Sequence, residues 1–121
     1  SIAEELVLCQ RYYEKSYNLG DAPGSSTGEG AVYGETYVTS ANSYQILSPI
    51  RFTVRKRGIP VITVYSTTGA SGKVRDTTAG ADKTAVSSDV EGETGGLVYL
   101  NNQSVTAGND LGYHWTADAE L

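Results

Sequence analysis

Apolar residues in this chain come in short runs of β-branched and aromatic side chains, each closed by glycine, serine or asparagine before it reaches ordinary helix length. Val61-Ile62-Thr63-Val64-Tyr65 and Leu97-Val98-Tyr99-Leu100 are the densest of them. Thirteen threonines, 12 serines and 14 glycines favour the same outcome, strands joined by tight turns. The fold class expected from this pattern is all-β, an antiparallel β-sandwich.

At 121 residues and 39% hydrophobic, the chain suffices for one domain with a modest core and is too short for two. The net charge of -5 argues against a nucleic-acid partner, whose phosphates demand a clustered basic surface. The single cysteine, Cys9, forms no intrachain disulfide and is expected to be a small buried thiol. No run approaches the roughly 20 apolar residues of a membrane-spanning helix, so no membrane insertion is expected. The chain opens on Ser1 and contains no methionine, which points to a segment trimmed from the end of a longer polypeptide.

Ser1 and Glu4 have the spacing of a capping box, so a short N-terminal helix is expected to about Gln10. Ile2, Leu6 and Cys9 form an apolar stripe along it, expected to pack on the sheet. A strand ending near Tyr17 follows, then a loop over residues 18–30. Two strands with a bend, or a hairpin, are expected across residues 31–47. Ile50, Phe52 and Val54 alternate with Arg51, Thr53 and Arg55, the period-two signature of a strand buried on one face. Val61-Ile62-Thr63-Val64-Tyr65, opened by Pro60, is expected at a sheet centre. Residues 73–93 offer only short strands near Val74 and Ala85-Val86, Leu97-Val98-Tyr99-Leu100 makes another, and the last strand spans residues 111–117.

The chemistry of catalysis is thinly represented. The only histidine, His114, alternates with Tyr113 and Trp115 along a strand and has no nucleophile elbow to serve, so it reads as structural. The acids Glu29, Glu35, Asp89, Glu91 and Glu93 lie in loops of glycine and serine, where solvation is the ordinary role and a glycosidase pair the rarer one. Asp89-x-Glu91-x-Glu93 lacks the ligand pattern of an EF-hand loop. No catalytic set, metal site or cofactor is expected.

Binding chemistry is better represented. Nine tyrosines stand against one phenylalanine and one tryptophan, and a tyrosine packs its ring while keeping its hydroxyl wet, which suits interfaces and sugar-binding faces. Tyr33, Tyr37, Tyr44, Tyr99, Tyr113 and Trp115 are the candidates for sugar-stacking platforms or subunit contacts. Arg51, Arg55 and Arg57 form a basic row opposite Ile50, Phe52 and Val54; it meets solvent and the chain's own carboxylates, or else anionic sugars or a neighbouring subunit.

Cys9-Gln10-Arg11-Tyr12-Tyr13-Glu14-Lys15-Ser16, introduced by Glu4-Glu5-Leu6, resembles a segment near the carboxyl end of many bacteriophage tail and minor structural proteins. The resemblance continues in Gly34-Glu35-Thr36-Tyr37, in Phe52-Thr53-Val54, in Pro60-Val61-Ile62-Thr63-Val64-Tyr65-Ser66 and in Ala117-Asp118-Ala119-Glu120-Leu121. It implies that residues 1–121 are a single carboxyl-terminal domain of a tail fibre or tailspike in the virion tail, jelly-roll-like and homotrimeric, serving host attachment or trimer assembly. Its partner would be a bacterial surface polysaccharide or lipopolysaccharide. The Arg55-Lys56-Arg57 segment is more basic than the usual apolar stretch there. A purely structural trimerisation domain explains the same residues without a ligand, and a polysaccharide-degrading enzyme would need two acids across a cleft.

Overall fold

The computed structural model describes residues 1–35, 44–86, 91–101, 103 and 105–120. Among these residues one helix, α1 (Ile2–Gln10), precedes ten strands: β1 (Tyr13–Lys15), β2 (Val32–Glu35), β3 (Tyr44–Ile46), β4 (Ile50–Arg51), β5 (Val61–Ser66), β6 (Lys73–Asp76), β7 (Ala81–Val86), β8 (Gly95–Gly96), β9 (Tyr99–Asn101) and β10 (Asp110–Asp118). Every ladder among them is antiparallel, and the architecture is the all-β sandwich expected from the runs and turns.

β10 is the spine. One of its edges takes β1 and β2, the other takes β5 and β6, and the path continues through β6, β7, β9 and β3. Such a position needs side chains that tolerate burial on both faces, and β10 is buried from Leu111 to Ala117. On its inner face Leu111, Tyr113, Trp115 and Ala117 meet Ile62 and Val64 of β5, Val74 of β6, and Val98 and Leu100 near β9 in one cluster. On its outer face the segment over residues 16–33 lies across it. Tyr33 of that segment packs over Gly112: a Cβ there would sit 2.3 Å from Cε1 of Tyr33, so only glycine admits the ring where it lies.

Three expectations are corrected. The strand read over residues 50–55 is a ladder only at Ile50 and Arg51. Pairing resumes piecemeal, from the Phe52 amide to the Thr94 carbonyl and from the Lys56 amide to the Glu93 carbonyl. Between them the Thr53 and Val54 amides donate to the Glu14 carboxylate. The alternation of burial survives because the chain stays extended, while the hydrogen bonds go to a side chain. Second, β5 lies at a margin rather than a sheet centre: β10 pairs it throughout, and its other edge makes the Tyr65–Ser71 bridge. The Ile62 amide donates to Glu91 at 3.1 Å, which occupies an edge group that would otherwise invite another strand.

The third concerns α1. The capping box forms as expected, with the Glu4 amide donating to Ser1 Oγ and the Ser1 ammonium reaching the Glu4 carboxylate. Its apolar stripe does not pack on the sheet, however, for no residue of α1 is buried and Cys9 is exposed. Helical periodicity identifies an apolar face but carries no information about what covers it.

Candidate functional site

The outer face of β1, β10 and β5 is built from the residues that alternate with the core. Register sets Tyr13, Asp118 and Val61 in one row across the three strands, and Lys15, Thr116 and Thr63 in the next. His114 and Tyr65 make a third row, completed by Tyr17, whose ring lies 6.1 Å edge-on from that of Tyr65. On this face Tyr13, Thr63, Tyr65, Thr116, Asp118 and Glu120, with Pro23 and Val61, enclose a cleft of about 410 Å³. Burial, then the neighbouring Tyr65, Asp118 and Tyr17, push the Tyr13 hydroxyl above the ordinary phenol range. It therefore remains a neutral donor and acceptor at physiological pH.

Two tyrosine rings, two threonine hydroxyls and two carboxylates converging on one concavity suit a ligand with both apolar faces and many hydroxyls. Aromatic faces pack against C–H faces, and carboxylates accept from hydroxyl groups. Thr116 of the floor belongs to the spine strand, and His114 lies one row along on the same face.

His114 anchors this floor and is fully buried. Its ring stacks on Tyr17 at 3.8 Å and 13°. Nε2 lies 2.8 Å from the Thr27 carbonyl, which only accepts, so Nε2 carries the proton. Nδ1, 2.9 Å from Ser16 Oγ, then accepts from that hydroxyl, which itself accepts from the Trp115 amide at 2.8 Å. Desolvation lowers the His114 pKa, against smaller upward pulls from the Thr27 hydrogen bond and Asp21. The unfolded chain thus binds a proton below about pH 6.5 while the folded one does not yet. Stability is fully present above that pH and is lost as pH falls through the folded value. Urea midpoints between about pH 7.5 and 5 should fall for the wild type and flatten in His114→Gln; equal slopes would exclude His114 as the source.

The residues singled out by the sequence are dispersed. Tyr99, Tyr113 and Trp115 are buried in the chain's own core, where the Tyr113 hydroxyl donates to the Ser48 carbonyl and burial pushes its pKa well up. Trp115 tilts against Phe52 at 5.5 Å. Tyr33 is half exposed above Gly112. Tyr37 and the side chain of Tyr44 lie outside the described residues. Arg51 is exposed on β4. Arg55 pairs with Glu93 at 2.7 Å, and the Arg57 guanidinium lies 5.4 Å from the Tyr12 ring centre, so these two meet the chain's own groups. Among the acids, Glu29 accepts from Asn18, Glu91 from Ile62 and Glu93 from Arg55; Asp89 lies outside the described residues.

A phage tailspike carries this fold. The chain superposes on the crystal structure of the Pseudomonas phage phi297 tailspike gp61 with a TM-score of 0.53 and 15% identity, over 89% of its own length. It spans 15% of that tailspike's chain. No family model matches the sequence, and no curated protein matches it. The likeness therefore lies in backbone architecture and leaves the cleft's side chains to be read on their own chemistry.

Tyr13 and Tyr65, the rings that do flank a cleft, were not among the residues singled out. The signal that marks them is strand alternation: Thr63 and Tyr65 stand opposite Ile62 and Val64, while Tyr13 stands opposite Glu14.

Proposed function

We propose that this chain is a β domain of a phage tail protein, tailspike or tail fibre, that holds bacterial surface polysaccharide or lipopolysaccharide in the cleft between Tyr13 and Tyr65. In this reading it works in the virion tail as a homotrimer and binds without cleaving. The observation that carries it is the convergence of tyrosines, threonine hydroxyls and carboxylates on the outer face of β1, β10 and β5. The tailspike fold supplies the setting.

Isothermal titration against purified host polysaccharides tests the site. Tyr13→Ala and Tyr65→Ala are each expected to weaken binding about 30-fold, the loss typical of truncating an aromatic anchor, with unchanged melting temperature. Wild-type protein that takes up no polysaccharide, or variants that bind as the wild type does, would sink the assignment. Release of oligosaccharide in the same mixture would turn the reading toward a depolymerase that uses Asp118 or Glu120. A second reading, an assembly domain with no ligand, is supported by the uncovered apolar residues of α1.

A further inference from the structure

The cleft between Tyr13 and Tyr65 has a charge as well as a shape. Asp118 and Glu120 bring two carboxylates to it, and among the described residues no lysine or arginine lines it. Strand parity explains the imbalance. Asp118 and Glu120 are the exposed residues that alternate with buried Ala117 and Ala119, so both reach the outer face at the end of β10. Asp118 Oδ1 accepts from the Glu120 amide at 2.9 Å, and neither carboxylate has a cationic partner among the described residues. The cation in the next row, Lys15, is turned away: its ammonium donates to the Leu19 and Asp21 carbonyls. Arg57 leans on the Tyr12 ring and the Ala119 carbonyl, which belong to the residues alternating with Tyr13 and Asp118 and so to the opposite face.

We propose that the cleft selects sugars bearing a free amino group, with Asp118 and Glu120 holding the ammonium while the tyrosine rings pack on the sugar. The inference rests on the cleft reading above and narrows it to a chemical class. An ammonium is the group that both halves of the lining recognise, since carboxylates accept its N–H donors and tyrosine faces attract a cation. The Thr63 and Thr116 hydroxyls serve the neutral parts of the same sugar. An N-acetylated sugar keeps the ring contacts and loses the charge. A uronate or a sugar phosphate meets two like charges and finds no cation to neutralise it, which is how a site rejects a ligand of otherwise suitable shape.

Isothermal titration at about pH 6, where a sugar amine is protonated, compares oligosaccharides of equal length and linkage built of glucosamine, N-acetylglucosamine or glucuronic acid. The glucosamine oligomer is expected to bind about 10-fold more tightly than the N-acetylated one, the joint effect of two exposed ion pairs and a cation–π contact. The glucuronate is expected to bind more weakly than either. Asp118→Asn/Glu120→Gln should erase the preference, and its asparagine still accepts from the residue 120 amide. A net charge of -5 attracts any polycation, so Glu5→Gln/Glu35→Gln serves as the control: it removes as much charge from α1 and from the pairing of Glu35 with Asp110, at the other end of β10, and should leave the preference intact. A glucosamine oligomer that binds no better than its N-acetylated form, or equal losses in the two double variants, overturns the inference. The cleft reading survives that result if host polysaccharide still binds and Tyr13→Ala weakens it, and falls with the inference if host polysaccharide does not bind either.

Discussion

Glu14→Ala is expected to lower the stability of the fold by about 3–5 kcal/mol, because it strands a buried ammonium. The Lys56 side chain is fully buried and that of Glu14 is 7% exposed, with Nζ 2.7 Å from Oε1. Lys56 Nζ also donates to the Val54 carbonyl at 2.8 Å and lies 4.5 Å from the Phe52 ring centre. Glu14 in turn accepts the amides of Thr53 and Val54, so one carboxylate satisfies three donors. For a chain of this size the loss corresponds to a drop of roughly 10–20 °C in Tm. The double variant Glu14→Gln/Lys56→Met is expected to recover most of it, since the amide oxygen still accepts and no charge is left buried. Differential scanning calorimetry decides the matter. A Glu14→Ala protein within about 1 kcal/mol of wild type would mean that water reaches the pair.

Trp115→Ala is expected to cost a further large share of the stability, about 3–5 kcal/mol. The indole is 6% exposed and belongs to the cluster that holds Ile62, Val64 and Tyr113. Its removal opens a cavity beside Phe52 beneath the spine strand, where β1 and β5 both pair, so little of the surroundings can collapse inward. Urea unfolding followed by far-ultraviolet circular dichroism measures the loss, since the variant has no tryptophan to follow. An unchanged midpoint together with lost polysaccharide binding would place the indole in the binding site instead of the core.

Most of the elements were legible because their signals are local. Ser1 and Glu4 predicted the start of α1, Pro60 the start of β5, and the run around Tyr113-His114-Trp115 the last strand. The partner of each element was not legible. Lys56 sits in a basic triplet that reads as surface, yet it is buried because the extended chain turns it inward onto Glu14, 42 residues away in sequence. The tyrosines divide in the same way. Composition announces a wealth of rings suited to half-wet surfaces, but whether a ring faces the core or the cleft depends on strand parity and on what lies above. Tyr113 and Tyr99 went inward, while Tyr13 and Tyr65 flank the cleft.

The sequence by itself determined the all-β class and the capped helix. Each follows from propensity, period or inventory over a few neighbouring residues. Tertiary structure alone decided that β10 is the spine, that Glu14 and Lys56 form a buried pair, that Tyr13 and Tyr65 flank one cleft, and that α1 is left uncovered. These are pairings between distant segments, fixed by ladder register and by competition for buried surface, and a linear pattern holds no record of which segment wins.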